Sequence, residues 1–133
     1  MLVDDIADLL STGGLGTVGT NIWKGANFGS ADPSIAVLVT GGIASIHTML
    51  SGPGGAAVEQ PRVQIVVRSA SEETAMRKAQ AAFKLLDGLR ERTINGVRYM
   101  WAAAVQPPFS LERDENNRAH YTFSVDIKRG PST

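Results

Sequence analysis

The stretch Gly14-Leu15-Gly16-Thr17-Val18-Gly19 spells G-x-G-x-x-G, the spacing with which a glycine-rich turn cradles a pyrophosphate at a helix N-terminus. That chemistry needs a strand before the glycines, a helix after them and an acid about 20 residues further on. Here a helical pattern comes first, a strand-like stretch follows, and Asp32 falls too early. The glycines read as a connector. His47 and His120 are the only histidines and cysteine is absent. Neither histidine has a second metal-binding side chain one helical turn or one strand step away, so no element carries a ligand pair. Asp4, Asp5 and Asp8 could gather a hard cation, but a solvated helix face accounts for them with fewer assumptions. Asp114 and Glu115 fall in a turn beside Arg113 and Arg118, where mixed charge is ordinary. No G-x-S-x-G elbow occurs, and spacing forces no two carboxylates into one pocket. We therefore expect no catalytic residues, no cofactor and no metal site.

The elements that would carry these residues follow from periodicity. Leu2, Val3, Ile6, Leu9 and Leu10 recur at helical spacing with the three aspartates among them, and Gly13-Gly14 closes the helix. Asn21 to Lys24 and Ile35 to Thr40 read as strands, the second apolar on both faces. Val63, Ile65 and Val67 alternate with polar residues in a third strand, Arg62 to Arg68. Ser71-Glu72-Glu73 opens a second helix, with the stripe Ala75, Ala79, Ala82, Phe83 and Leu86 and Gly88 at its end. Asn95-Gly96 is a type I′ hairpin signal joining Arg92–Ile94 to Val97–Gln106. Pro107-Pro108 stops that strand. Phe109 to Arg113 and Tyr121 to Lys128 form a further hairpin around a polar turn, the latter strand strictly alternating. These elements predict an α+β domain of two helices packed on a mainly antiparallel sheet of about five strands.

The 133 residues suit a single domain, 1–133. Hydrophobic residues at 43% and charged ones at 20% describe a globular chain, and no apolar run approaches the ~20 residues of a membrane helix. The acidic start of the chain lacks the basic flank of a secretory signal, so a cytoplasmic origin is expected. Thirteen bases balance thirteen acids, which argues against a dedicated polyanion binder. The first 58 residues hold four acids and one base, the rest nine acids and twelve bases. Such opposed poles suit self-association.

One stretch stands apart. From Pro33 to Val58 no residue is formally charged apart from what His47 could carry, and Gly41-Gly42 and Gly52-Pro53-Gly54-Gly55 punctuate its later part. The expectation is a long glycine-rich loop over 41–58, covered by a partner through Ile43, Ile46, His47, Met49 and Leu50. Arg62, Arg68, Arg90 and Arg92 bracket the strand–helix unit. Arginine suits desolvated interfaces, so Arg62, Arg68, Arg92 and Arg113 join the expected contacts. Trp23 and Trp101 read as core or subunit-contact residues.

In order along the chain, Asp5–Leu10, Gly14–Gly25, Gln60–Arg68, Leu85–Leu89, Asn95–Tyr99 and Gln106–Asn116 together resemble bacteriophage minor capsid or tail-terminator-like proteins of long-tailed phages. The resemblance implies a structural virion protein of tail-terminator-like fold, assembled in the host cytoplasm and carrying no catalytic residues. It implies a homo-oligomer, typically a hexameric ring, at the head-proximal end of the tail tube. That ring ends tube polymerisation, meets the tail tube protein and the head connector or head-completion protein, and lets phage DNA pass without sequence-specific binding; no membrane is involved. Two alternatives stand beside it: a head-closure or connector component, and a small ligand-binding or enzymatic domain with 41–58 as its lid.

Overall fold

A computed structural model describes residues 2–25, 34–46, 58–111 and 118–130, the side chains of 43–46 excepted. Helix α1 spans Leu2–Thr12, with Asp4 and Asp5 in its first turn, at the positive end of the dipole. It ends in a Schellman cap. Gly14 takes φ +84°, its N–H donates to Ser11 O (3.0 Å), and the Leu15 N–H reaches back to Leu10 O (3.1 Å). Leu10 and Leu15 are both buried, which supplies the hydrophobic contact of that motif. Helix α2 spans Glu72–Leu86. The Ser71 hydroxyl caps it by accepting from the Thr74 N–H (3.4 Å), and Ala75, Ala79, Ala82 and Leu86 form its buried stripe. Both helices are as expected from the pattern.

Among the described residues seven strands join one sheet: β1 (Ile22–Lys24), β2 (Ser34–Ile46), β3 (Val58–Ser69), β4 (Leu89–Ile94), β5 (Val97–Ala104), β6 (Phe109–Leu111) and β7 (Ala119–Arg129). The order is β1-β2-β3-β7-β5-β4, with β6 also beside β7. The β1–β2 pair is parallel and the others are antiparallel. The expected sheet of about five mainly antiparallel strands is thus too small, and the sheet is mixed. Segments of three residues, such as β1 and β6, carry too little alternation to announce their sheet partners. A parallel pairing depends on where the connection lands, which no local pattern encodes. Strand β7 is the hub: β3 pairs along one edge, while the other is shared by β6 at 120–122 and β5 at 125–129. Pro107-Pro108 lies where the chain leaves the β5 position for that of β6.

The expected loop 41–58 needs a second correction. Gly41–Ile46 belong to β2 and Val58 opens β3, so only 47–57 remain between the strands, outside the described residues. Gly41 and Gly42 mark a bulge. The β2–β3 register slips between Val39 and Gly41, and Gly42 takes φ +142°. A Cβ there would strike the Gln60 carbonyl oxygen and lie 2.7 Å from Pro61 Cα. Glycine is what lets this strand pass a proline-bearing neighbour closely.

Side chains at alternate positions, including Ile35, Val37, Val63, Ile65, Val67, Phe123, Val125 and Ile127, join both helices in a single core cluster. Phe83 of α2 meets Phe123 edge-on, ring centroids 5.9 Å apart. Each fully buried Ile, Val or Leu there contributes on the order of 1.5–3 kcal/mol. The sheet curls enough for α1 to touch both flanks. Lys24 of β1 donates to Asp4 (2.7 Å), a hydrogen bond that lowers the Asp4 pKa and raises that of Lys24. On the other flank, Asn95 of the β4–β5 turn donates to Asp8 (3.0 Å).

Candidate functional site

Two groups of polar residues merit comparison, one under the helices and one on the opposite face. Under the helices, Asp5 is 1% exposed, against the expectation of a solvated acidic face. Its carboxylate accepts from the Tyr99 hydroxyl and from Asn95 Nδ2 (2.8 Å). Arg129 Nη1 lies 4.0 Å from Asp5, and Nη2 lies 3.4 Å from Glu59. The chain Glu59–Arg129–Asp5–Tyr99 thus ties α1 to β3, β5 and β7. Burial foremost, then the hydrogen bond to Asp5, pushes the Tyr99 pKa far above the ordinary phenol range. This is an architectural tie. It holds the helix on the sheet, with Asp5, Tyr99 and Arg129 buried and Glu59 partly open to solvent.

On the helix-free face Arg62 donates to Asp126 through Nε (2.6 Å) and Nη2 (3.1 Å), a two-pronged bridge between β3 and β7 with both side chains 43% exposed. That hydrogen bond raises the Arg62 pKa. Beside the bridge runs an open groove of about 510 Å³, lined by Gly41, Gly42, Gln60, Trp101, Ile127 and Lys128 among others. The bulge forms one rim, its glycines presenting bare backbone. The Lys128 ammonium stands over the Trp101 ring, 5.7 Å from its centroid.

The expected contact residues scatter. Ile43 and Ile46 lie in β2, opposite Gln60 and Val58. His47, Met49, Leu50 and Arg113 fall outside the described residues. Arg62 lines the groove. Arg68 is 7% exposed, in register between Ser34 and His120. Arg92 is exposed on edge strand β4, opposite Tyr99. The sequence reading missed Lys128 and Asp126 and left Trp101 undecided between core and contact. A usable signal was there. Strict alternation in β7 puts Asp126 and Lys128 on its non-core face, and counting back from the Asn95-Gly96 turn pairs Arg90 with Trp101.

The G-x-G-x-x-G stretch follows a helix and precedes a strand, the reverse of a dinucleotide site. Among the described residues no cluster of His, Asp and Glu could hold a metal ion, and no helix is long and apolar enough to cross a membrane. The fold is thus α+β, two helices on a large mixed sheet. The family model for bacteriophage tail terminator proteins matches residues 9–129, and the chain belongs to that family. It is a structural protein of the phage tail and a component of the virion. A solved chain from the virion of a native gene transfer agent (GTA) particle shares the fold. Its TM-score is 0.64 at 13% identity, over 97% of this chain and 94% of that one. No curated protein matches the chain.

Proposed function

We propose that the protein closes into a ring, a hexamer, on the head-proximal end of the tail tube, ends tube polymerisation and joins tail to head. The observation that carries this reading is the tail-terminator family match over residues 9–129. A heterologous interface whose rotation returns on itself leaves no lateral patch free to recruit further copies. The edges of the sheet are compatible with such an arrangement. Edge strand β4 presents Arg90, Glu91 and Arg92 to solvent, and Glu91 bends out of strand geometry at φ +46°. Charge and a kink together oppose indiscriminate strand pairing. In this reading the end of β2 and residues 47–57 reach the tube protein or the head connector, with Ile43, Ile46, His47, Met49 and Leu50 as contacts. Arg92 and Arg113 add further partner contacts, and DNA passes through the lumen without base readout.

Phage lacking this chain should make overlong tails unattached to heads, seen by electron microscopy of lysates. Supplying a chain with 43–56 deleted should fail to cure that defect while the purified variant remains folded. Tails of normal length joined to heads in either case would end the proposal.

A further inference from the structure

We infer that the row Arg90–Trp101–Lys128, with the groove it borders, is a docking surface for an acidic segment of a partner protein. Hairpin register sets Arg90 of β4 opposite Trp101 of β5, and the β5–β7 pairing sets Trp101 opposite Lys128. Residues directly opposed in an antiparallel ladder share a face at about 5 Å, so one indole is flanked by two cations. Arg90 and Lys128 are both exposed, and neither makes an ion pair among the described residues. The acids behave differently. Every carboxylate among the described residues already accepts a hydrogen bond within the chain. No described acid pairs with either of these two cations, and charge complementarity assigns their partner to another acidic surface.

The groove favours protein over nucleic acid as the occupant. Its wall carries the Asp126 carboxylate, and its lining includes Ile127, Gln60, Gly41 and Gly42. An acidic side chain on Arg90 and Lys128, with an apolar or amide neighbour lowered beside Trp101 and Gln60, meets complementary groups. A two-cation row on a chain of zero net charge is also far short of the basic stripe that phosphate-backbone binding uses. Arginine and tryptophan are the residues that most often anchor such protein contacts.

The test is titration of the purified full chain with poly-L-glutamate at low salt, followed by calorimetry and tryptophan emission. The wild type should bind, with weaker binding as salt rises, and Trp23→Phe should keep the emission change, which assigns it to Trp101. The double variant Arg90→Ser/Lys128→Ser should bind roughly tenfold more weakly. Lys84→Ser, which removes an exposed cation of α2, should bind like wild type, and Lys128→Arg should keep most of the affinity. Equal binding by wild type and double variant, no binding by the wild type, or binding indifferent to salt would each overturn the inference. So would tighter binding of a short DNA duplex through the same two residues. Failure of the tail-length experiment would leave these titrations unaffected, so the two readings fall separately.

Discussion

On the helix-covered side Asp5, Tyr99 and Arg129 form a buried chain of polar contacts that ends on half-buried Glu59, whereas across the sheet Arg62 and Asp126 meet half in solvent and Lys128 stands over an indole. The residue types are nearly the same, and what differs is water. Where water is excluded, an unpaired charge costs several kcal/mol, so each group must be answered within the subunit. Where water is present, a charge can wait for a partner at little cost. The first arrangement fixes the fold, and the second leaves chemistry available for assembly.

The largest expected effect follows from breaking the buried side. Asp5→Ala removes the acceptor for Tyr99 and the buried carboxylate 4.0 Å from Arg129, and should lower stability by about 3–5 kcal/mol in urea unfolding. A loss under about 1 kcal/mol would mean the two regions do not differ as described. Gly42→Ala comes next, at about 2–4 kcal/mol, because the new methyl meets backbone and not a movable side chain. Calorimetric unfolding measures it, and an unchanged melting temperature would remove the bulge from the account.

A pH experiment sharpens the contrast. Because the folded-state pKa of Tyr99 is raised above its ordinary value of 10.0, the unfolded chain ionises first. The contribution is fully present below pH 10 and is lost as pH rises toward the folded-state pKa, by up to about 1.4 kcal/mol per pH unit. Urea midpoints measured between pH 8 and 11 should fall accordingly, and Tyr99→Phe should flatten that fall. The smallest effect belongs to the open side. Arg62→Ala should cost no more than about 1 kcal/mol, shrinking further in high salt. A larger, salt-insensitive loss would show that this bridge belongs with the buried set.

Much of the architecture could be read without coordinates. Helix α2 announces itself by Ser71, two glutamates and an alanine stripe, all local signals. Asn95-Gly96 sets a hairpin and, by counting, the register that brings Arg90 to Trp101. The family resemblance rests on short runs in order along the chain, and it agrees with the match over 9–129. The site was harder to read. Gly41-Gly42 has the composition of a loop, and only the proximity of Pro61 reveals a bulge. Asp5 looks like its neighbours Asp4 and Asp8 until Tyr99, 94 positions away, is seen to donate to it.

The amino-acid order alone determined the two helices, the Asn95-Gly96 hairpin and the alternation of β7, because each depends on neighbours within a few residues. Tertiary structure alone decided the parallel β1–β2 pair, the burial of Asp5, the bulge at Gly42 and the convergence of Arg62, Trp101, Asp126 and Lys128. Those depend on which distant strands lie side by side, and the balance between burial and solvation is struck only once they do.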